Sequence, residues 1–126
     1  MDDLPSESNM ASTGLKVFFK IMELWDASID DIEILLGGLS RSSIYNWKNT
    51  PPSKLNRDQL CRISYIIGIY KGLNILYPDP KISDEWVHRP NRYFGGRTAF
   101  QHMLGGNITD LADVRRRIDA ACEGMT

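Results

Sequence analysis

The feature that most constrains the fold is an apolar segment, residues 57–76, that lies between two proline-containing breaks. Pro51-Pro52 precedes it and Pro78-Asp79-Pro80 follows it, and proline lacks an N–H donor and disfavours helical backbone in the preceding residue. Apolar residues cover much more than one side of the predicted helix, so we expect it to run through the centre of the fold. They are Leu60, Ile63, Ile66, Ile67, Ile69, Tyr70, Leu73 and Leu76.

Two glycines lie inside this segment although glycine is a poor helix former. Gly68 and Gly72 each destabilise a helix by about 1 kcal/mol relative to alanine. They are spaced i, i+4 and therefore share one helix face. We expect another element to approach the helix closely along that face.

Shorter amphipathic helices are predicted before the central one. The apolar spacing predicts a helix over 15–26, and Ser28 and Ser40 are typical N-cap residues for the next two helices. Asn56-x-x-Gln59 resembles a capping box at the start of the central helix.

The pattern after the central helix is again helical. A short helical piece is expected near 83–88, Thr98-x-x-Gln101 is a capping box, and Thr109 is the expected N-cap of the last helix. No segment shows the alternation typical of a strand. The predicted fold class is therefore all-α.

The chain divides into three predicted parts. Residues 1–14 are acidic and rich in Ser, Pro and Gly, so we expect a disordered, mobile tail. Residues 15–57 are predicted to form a helix-turn-helix domain, and residues 58–126 a second, small helical domain.

Composition is that of an ordinary soluble protein. Of the 126 residues, 42% are apolar and 25% are charged, and the net charge is −1. The apolar stretch 63–77 is too short and too polar to span a membrane, and the N-terminus lacks a signal-peptide run, so a cytoplasmic protein is expected. Cys61 and Cys122 belong to no Cys/His cluster, so no metal site is predicted.

Residues 29–48 meet the requirements of a DNA-binding helix-turn-helix. Gly38 supplies the tight turn, Leu39 anchors the turn to the core, and Ile44 and Trp47 pin the second helix. The segment from Gly38 to Lys48 resembles the recognition half of many bacterial repressors. Six side chains are left to reach phosphates and base edges: Ser40, Arg41, Ser43, Tyr45, Asn46 and Lys48.

Two core helices with a solvated polar face are the alternative interpretation of these residues. Residues 15–57 carry six basic and five acidic side chains, which is a thin excess for tight DNA binding by a monomer. A dimer would double the phosphate contacts.

The most specific segment runs from Trp86 to Leu104. Trp86 and Phe94 are apolar anchors, Pro90 stiffens the loop, and Gly95-Gly96 permits positive φ or a close backbone approach. From the residues alone, this segment can be a structured turn between two core helices.

Five short motifs follow one another along this half of the chain. They are Glu85-Trp86, Pro90-Asn91, Phe94-Gly95-Gly96-Arg97-Thr98, Leu104-x-Gly106 and Val114-Arg115-Arg116. Together they resemble the toxin-binding domain of the Xre/MbcA/ParS family of antitoxins over about 58–124. A helix-turn-helix domain just upstream is the usual companion of that domain.

The resemblance implies an antitoxin that binds a RES-domain toxin encoded beside it, and operator DNA as a second partner. Such toxins consume NAD or transfer from it, and the antitoxin's C-terminal region covers or enters the NAD pocket. The tail 122–126 is the expected plug, and its terminal carboxylate would mimic a phosphate of NAD. The expected toxin-binding residues are Trp86, Arg89, Asn91, Arg92, Phe94, Gly95, Gly96, Arg97, Arg116, Arg117, Cys122, Glu123, Gly124, Met125 and Thr126.

Arg115, Arg116 and Arg117 point to successive faces of the last helix, about 100° apart. They are either a solvated helix end that favours the helix dipole or contacts for acids on the partner. Their position in the sequence does not decide which of them contact the partner.

No enzymatic constellation is present in the sequence. The only histidines are His88 and His102, and there is no nucleophile elbow or phosphate-binding glycine motif. We therefore expect a non-enzyme without a cofactor that acts as a homodimer or as a hetero-oligomer with its toxin. The alternative function is a stand-alone transcription regulator whose C-terminal domain only dimerises.

Overall fold

The computed structural model describes residues 7–124, with side chains from residue 10 onward. Within that range the chain forms seven α-helices, one 3-10 turn at Arg92–Phe94 and no strand, so the predicted all-α class is confirmed. The helices are α1 (Glu7–Leu24), α2 (Ile29–Leu35), α3 (Arg41–Asn49), α4 (Arg57–Leu76), α5 (Pro80–Trp86), α6 (Ala99–Met103) and α7 (Ile108–Glu123).

Helix α4 is the central element, as its all-round apolar sequence predicts. Ile66, Ile69 and Leu73 are completely buried. Helices α1, α5 and α7 all pack against α4, and α7 follows it most closely. Because α4 contributes to the core on several sides, the chain is organised around this one helix. No helix among the described residues is long and apolar enough to cross a bilayer.

The two glycines of α4 mark the contact with α7, so the expected close approach is confirmed. A Cβ atom at Gly68 would lie 1.8 Å from Nη1 of Arg115, and one at Gly72 would lie 2.3 Å from Cγ2 of Ile118. Neither distance is possible for real atoms. Helix α7 therefore lies where a side chain on α4 would otherwise be.

Most helix starts follow the predicted caps. The side chains of Ser28, Ser40, Asn56 and Thr98 each accept a hydrogen bond from a backbone N–H three residues later. Each satisfies one of the free donors in the first turn of its helix.

Two predicted helix starts are wrong. Helix α7 begins one residue before Thr109, with Asn107 as its N-cap, and the backbone N–H of Asn107 donates to Asp110 Oδ2 at 3.0 Å. Helix α5 begins at Pro80 rather than near residue 83, because Asp79 caps it. The Pro-Asp-Pro segment therefore ends one helix and also starts the next, since proline is tolerated at the first helical position.

The N-terminal tail predicted over residues 1–14 is wrong for residues 7–14. Helix α1 begins at Glu7, and Ala11 is only 2% exposed. Ala11 lies one helical turn before Leu15 and extends the apolar face of α1, which outweighs the polar composition around it. Residues 1–6 lie outside the described part of the chain.

A buried arginine in α4 joins the two halves of the fold. Arg62 is 8% exposed, and its Nε donates to Asp58 Oδ2 at 2.9 Å. Its Nη1 donates to the carbonyl oxygen of Ile34 at 3.4 Å and its Nη2 to that of Gly106 at 2.9 Å. These two carbonyls lie at the end of α2 and in the turn between α6 and α7, so one side chain ties the two regions to α4.

Candidate DNA-binding and partner-binding surfaces

Helices α2 and α3 form the predicted helix-turn-helix. Gly37 and Gly38 in the turn have φ of 83° and 96°, a conformation that favours glycine. Ile44 is fully buried beneath α3, and Trp47 and Leu39 are half-buried against the core. The predicted anchors therefore hold α3 with its polar side outward.

The six candidate DNA-binding residues divide into two groups. Arg41, Tyr45, Asn46 and Lys48 are exposed on α3. The hydroxyl of Ser40 instead accepts the backbone N–H of Ser43 at 3.2 Å and donates to the Ser43 hydroxyl at 2.9 Å. The two serines thus hold the start of α3, while the side chains of the other four lie at the exposed surface of the helix.

Arg41 is held by acids of the preceding helix. Its guanidinium pairs with Asp30 and lies 3.5 Å from Glu33. The charge of Asp30, together with a hydrogen bond to Glu33, raises the pKa of Arg41 above its ordinary value. To reach a phosphate or a base edge, Arg41 must therefore exchange these two carboxylates for the nucleic acid.

Lysines from α1 add positive charge beside α3, which the sequence analysis did not single out. Lys16 and Lys20 line the same groove as Lys48, and the groove has a volume of about 390 Å³. The Lys48 ammonium lies 5.7 Å from the ring centre of Phe19 in α1. The signal that could have found them is the i, i+4 spacing of Lys16 and Lys20 on one face of α1.

The segment that follows α5 is a closed loop. Pro90 and Thr98 form a β-bridge, and the Asn91 N–H donates to the Arg97 carbonyl at 3.0 Å. The side chain of Asn91 accepts the N–H of Tyr93 at 2.8 Å. Asn91, a candidate toxin-binding residue, therefore holds the loop together from within.

Gly95 and Gly96 adopt a left-handed backbone conformation that favours glycine. Gly95 and Gly96 have φ of 69° and 88°. A Cβ atom at either position would meet nothing within 4 Å. Of the two reasons offered by the sequence, positive φ is the one that applies, and close backbone approach does not.

The aromatic anchors of this loop face the core. Phe94 is 7% exposed, and the centre of its ring lies 4.8 Å from the centre of the His102 ring. Trp86 is half-buried against the core. Arg89 pairs with Glu85 at 3.5 Å, and Arg92 is exposed in the 3-10 turn. Phe94, one of the predicted toxin-binding residues, thus packs beneath the loop and stabilises it.

Four polar side chains connect the loop to α7. Nη2 of Arg97 lies 2.9 Å from Nδ1 of His102, and Nε2 of His102 lies 3.0 Å from Oδ2 of Asp113. Nη1 of Arg116 donates to the other oxygen of Asp113 at 3.2 Å. We call this row the arginine–histidine relay: Arg97, His102, Asp113 and Arg116.

The chemistry of arginine fixes the tautomer of His102. A guanidinium can only donate, so Nδ1 must accept from Arg97. The ring proton is then on Nε2, which donates to Asp113. This hydrogen bond is the main reason that the pKa of Asp113 is lowered, and Arg116 lowers it further.

The position of the ring proton on His102 also decides whether this side chain could bind a metal ion. Ligand atoms of His102, Asp110 and Asp113 lie within 4.8 Å of one another, a spacing that suits a cation. With its proton on Nε2, however, His102 has no lone pair to offer on that side. Hydrogen bonding accounts for the spacing of these groups.

The three consecutive arginines of α7 have three different surroundings. Arg115 lies against Gly68 and pairs with Asp119 at 3.1 Å. Arg116 belongs to the relay, and the guanidinium of Arg117 lies 4.8 Å from the ring centre of Tyr93. Arg116 and Arg117 therefore share one surface with the loop. We call Tyr93, Arg97, Arg116 and Arg117 the basic surface.

Two family models together match almost the whole chain. Residues 5–68 match the antitoxin Xre-like helix-turn-helix domain, and residues 73–124 match the antitoxin Xre/MbcA/ParS C-terminal toxin-binding domain. The chain belongs to the Xre/MbcA/ParS family of antitoxins. Neither model describes a family of enzymes.

A related protein is similar to this chain over most of the length of both. Uncharacterized protein y4oB of Sinorhizobium fredii is 37% identical over 115 residues, which cover 91% of this antitoxin and 88% of the relative. The similarity therefore includes both halves of the antitoxin.

Helix α4 belongs to both halves of this antitoxin. The first model ends at residue 68 and the second begins at residue 73, and both positions lie inside α4. The boundary predicted at 57–58 lies at the start of the same helix.

The first three residues of the predicted plug, 122–124, belong to the end of α7. Cys122 and Glu123 lie in the last turn of α7, and Gly124 caps that helix. Cys122 is half-buried, with Sγ 3.7 Å from the carbonyl oxygen of Gly72. Met125 and Thr126 of the predicted plug lie outside the described residues.

Proposed function

We propose that this antitoxin neutralises a RES-domain toxin that consumes NAD or transfers ADP-ribose from it. The observation that carries the proposal is the basic surface within the matched toxin-binding domain. There, two separate segments, the loop at 91–97 and the middle of α7, are joined into one face by the arginine–histidine relay. A face organised by several charge-assisted hydrogen bonds suits a specific protein partner.

The proposed mode of inhibition is occlusion of the toxin's active site by the C-terminal region. Helix α7 carries Arg116 and Arg117 of the basic surface in its middle and ends at Glu123. A partner bound at the basic surface therefore lies within reach of the last turn of α7. Residues 122–126 would then enter the NAD pocket of the toxin.

The second proposed activity is repression of the antitoxin's own operon. The exposed residues of α3 and the neighbouring lysines supply phosphate and base contacts. A homodimer, or a complex with the toxin that contains an even number of antitoxins, suits a palindromic operator.

The test is co-expression with the adjacent RES-domain open reading frame. We expect the wild-type chain to restore growth and to copurify with the RES-domain protein. A variant that combines Arg97→Ala, Arg116→Ala and Arg117→Ala should do neither. The control is Arg57→Ala, which removes an exposed arginine at the start of α4, outside the basic surface and outside the expected toxin-binding residues. If the triple variant protects cells as well as the wild type, the basic surface does not bind the toxin.

A second pair of variants tests the plug. Removal of residues 122–126 should abolish neutralisation while the helical circular dichroism spectrum is kept. Asp119→Asn in the full-length chain lies just before the plug, removes the ion pair with Arg115 and should still neutralise. A neighbouring open reading frame that is harmless without the antitoxin would instead favour a stand-alone regulator whose C-terminal domain dimerises.

A further inference from the structure

Arg97 is held differently from the arginines that pair with a carboxylate. Arg89, Arg115 and Arg116 each pair with a carboxylate. Within residues 7–124, Arg97 has no such ion pair, and its hydrogen-bond partner is the neutral Nδ1 of His102. Its guanidinium is thus oriented without losing its charge, and its other N–H groups stay available on an exposed side chain.

His102 is itself fixed from the other side. Its side chain is 18% exposed, it stacks on Phe94, and its Nε2–H donates to Asp113. Asp113 is held in turn by Arg116. This second contact keeps the Nδ1 lone pair of His102 directed at Arg97, just as a carboxylate fixes the tautomer of a functional histidine elsewhere.

We propose that His102 is a positioning residue that presents Arg97 as an anchor for a carboxylate cluster on the toxin. The inference rests on the proposed toxin-binding function and adds the chemistry of the contact. A pre-oriented guanidinium binds a carboxylate through two parallel hydrogen bonds and loses little side-chain entropy on binding.

Two substitutions separate positioning from packing. The Oδ1 atom of His102→Asn takes the place of Nδ1 and can still accept from Arg97, but this side chain does not reach Asp113. The side chain of His102→Gln reaches Asp113 but offers no acceptor at the Nδ1 position. If His102 only attaches α6 to α7, the glutamine variant is the better replacement; if it positions Arg97, the asparagine variant is.

The first arm of the test uses the full-length antitoxin alone. Imidazole and guanidinium nitrogens of the wild type and of the two variants are followed by NMR. We expect the ring proton of His102 on Nε2, and Arg97 side-chain signals that are protected from exchange in the wild type and in the asparagine variant but not in the glutamine variant. A proton on Nδ1, or equal protection of the Arg97 signals in the glutamine variant, would overturn the positioning role.

The second arm measures affinity for the adjacent RES-domain protein carrying an inactivating substitution. The glutamine variant should bind about tenfold more weakly than the wild type, as expected for one lost charge-assisted contact. The asparagine variant should stay close to the wild type. Equal binding by the glutamine variant would overturn the proposal. If the wild type does not bind, the proposed function fails, and the NMR arm alone decides the positioning of Arg97.

Discussion

Ile118 of α7 packs directly on the backbone of Gly72 in α4, where an added Cβ atom would lie 2.3 Å from its Cγ2. One helical turn away, the atom nearest to Gly68 is the guanidinium end of Arg115. Both glycines lie under α7, yet the groups above them differ in how freely they can move. Ile118 is buried and β-branched, whereas Arg115 is a long and partly exposed side chain.

We predict opposite outcomes for alanine at these two glycines. Gly72→Ala should lower the free energy of unfolding by about 1–3 kcal/mol, because Ile118 cannot move without disturbing the core. Gly68→Ala should stay within about 0.5 kcal/mol of the wild type, because the gain in helix propensity offsets the displacement of Arg115. Urea unfolding measures both. A Gly72→Ala protein as stable as the wild type would show that α7 does not lie so close to α4.

The buried Arg62 gives the second prediction. Arg62→Ala leaves the carbonyl oxygen of Gly106 without its arginine donor and removes the longer of two hydrogen bonds to the carbonyl oxygen of Ile34, which still accepts from the Gly37 N–H. It should lower the free energy of unfolding by about 2 kcal/mol. Arg62→Lys should be intermediate, since an ammonium cannot reproduce the fork of the guanidinium.

The matched control for Arg62 is another arginine of the same helix. Arg57→Ala removes an exposed arginine from the start of α4 and should change stability by less than about 0.5 kcal/mol. Equal effects at the two positions would contradict a joining role for Arg62.

The pairing of Arg41 with Asp30 predicts a gain of function. Asp30→Asn should strengthen binding to DNA from upstream of the antitoxin gene about threefold or more, because it frees Arg41 and removes a negative charge beside α3. Glu85→Gln breaks a similar exposed pair with Arg89 far along the chain and should leave DNA affinity unchanged. Fluorescence anisotropy over a range of salt concentrations checks this. Weaker binding by Asp30→Asn would mean that the pair holds Arg41 in its DNA-binding position.

Asp113 predicts how stability depends on acid. Its pKa in the folded protein is lowered, mainly because His102 donates to it. Its contribution to stability is therefore fully present above the unfolded value of about 3.9 and is lost as pH falls through the lowered folded value. Below about pH 4, the midpoint temperature of thermal unfolding should thus fall more steeply with decreasing pH for the wild type than for Asp113→Asn. If the midpoint temperatures of the two proteins fall equally steeply with decreasing pH, the hydrogen bond between His102 and Asp113 is contradicted.

Much of the fold could be predicted because local signals agree with tertiary structure. The caps at Ser28, Asn56 and Thr98 and the breaks around α4 act within a few residues, so the sequence shows them directly. The start of α1 was missed because the residues before Leu15 are polar on average, and only the packing of Ala11 makes them helical.

The candidate surfaces were predicted in part for a similar reason. Residue types on α3 and in the 91–97 loop are visible in the sequence, but their partners are not. The contact between Arg97 and His102 and the one between Arg41 and Asp30 depend on how helices cross. Phe94 was predicted as an apolar anchor and is buried, but no spacing rule reveals that Tyr93 lies against Arg117. Arg62 is one of several polar residues in the sequence of α4, so its residue type alone does not reveal that its side chain is buried.

The most direct test of the account is the NAD content of cells that express the proposed partner, a RES-domain protein encoded beside the antitoxin gene, with and without this antitoxin. We predict that NAD falls when the RES-domain protein is expressed alone, is restored by the wild-type antitoxin, and stays low with the antitoxin lacking residues 122–126. If NAD stays constant in all three cultures, or if the truncated antitoxin restores it fully, inhibition by occlusion of an NAD site is contradicted.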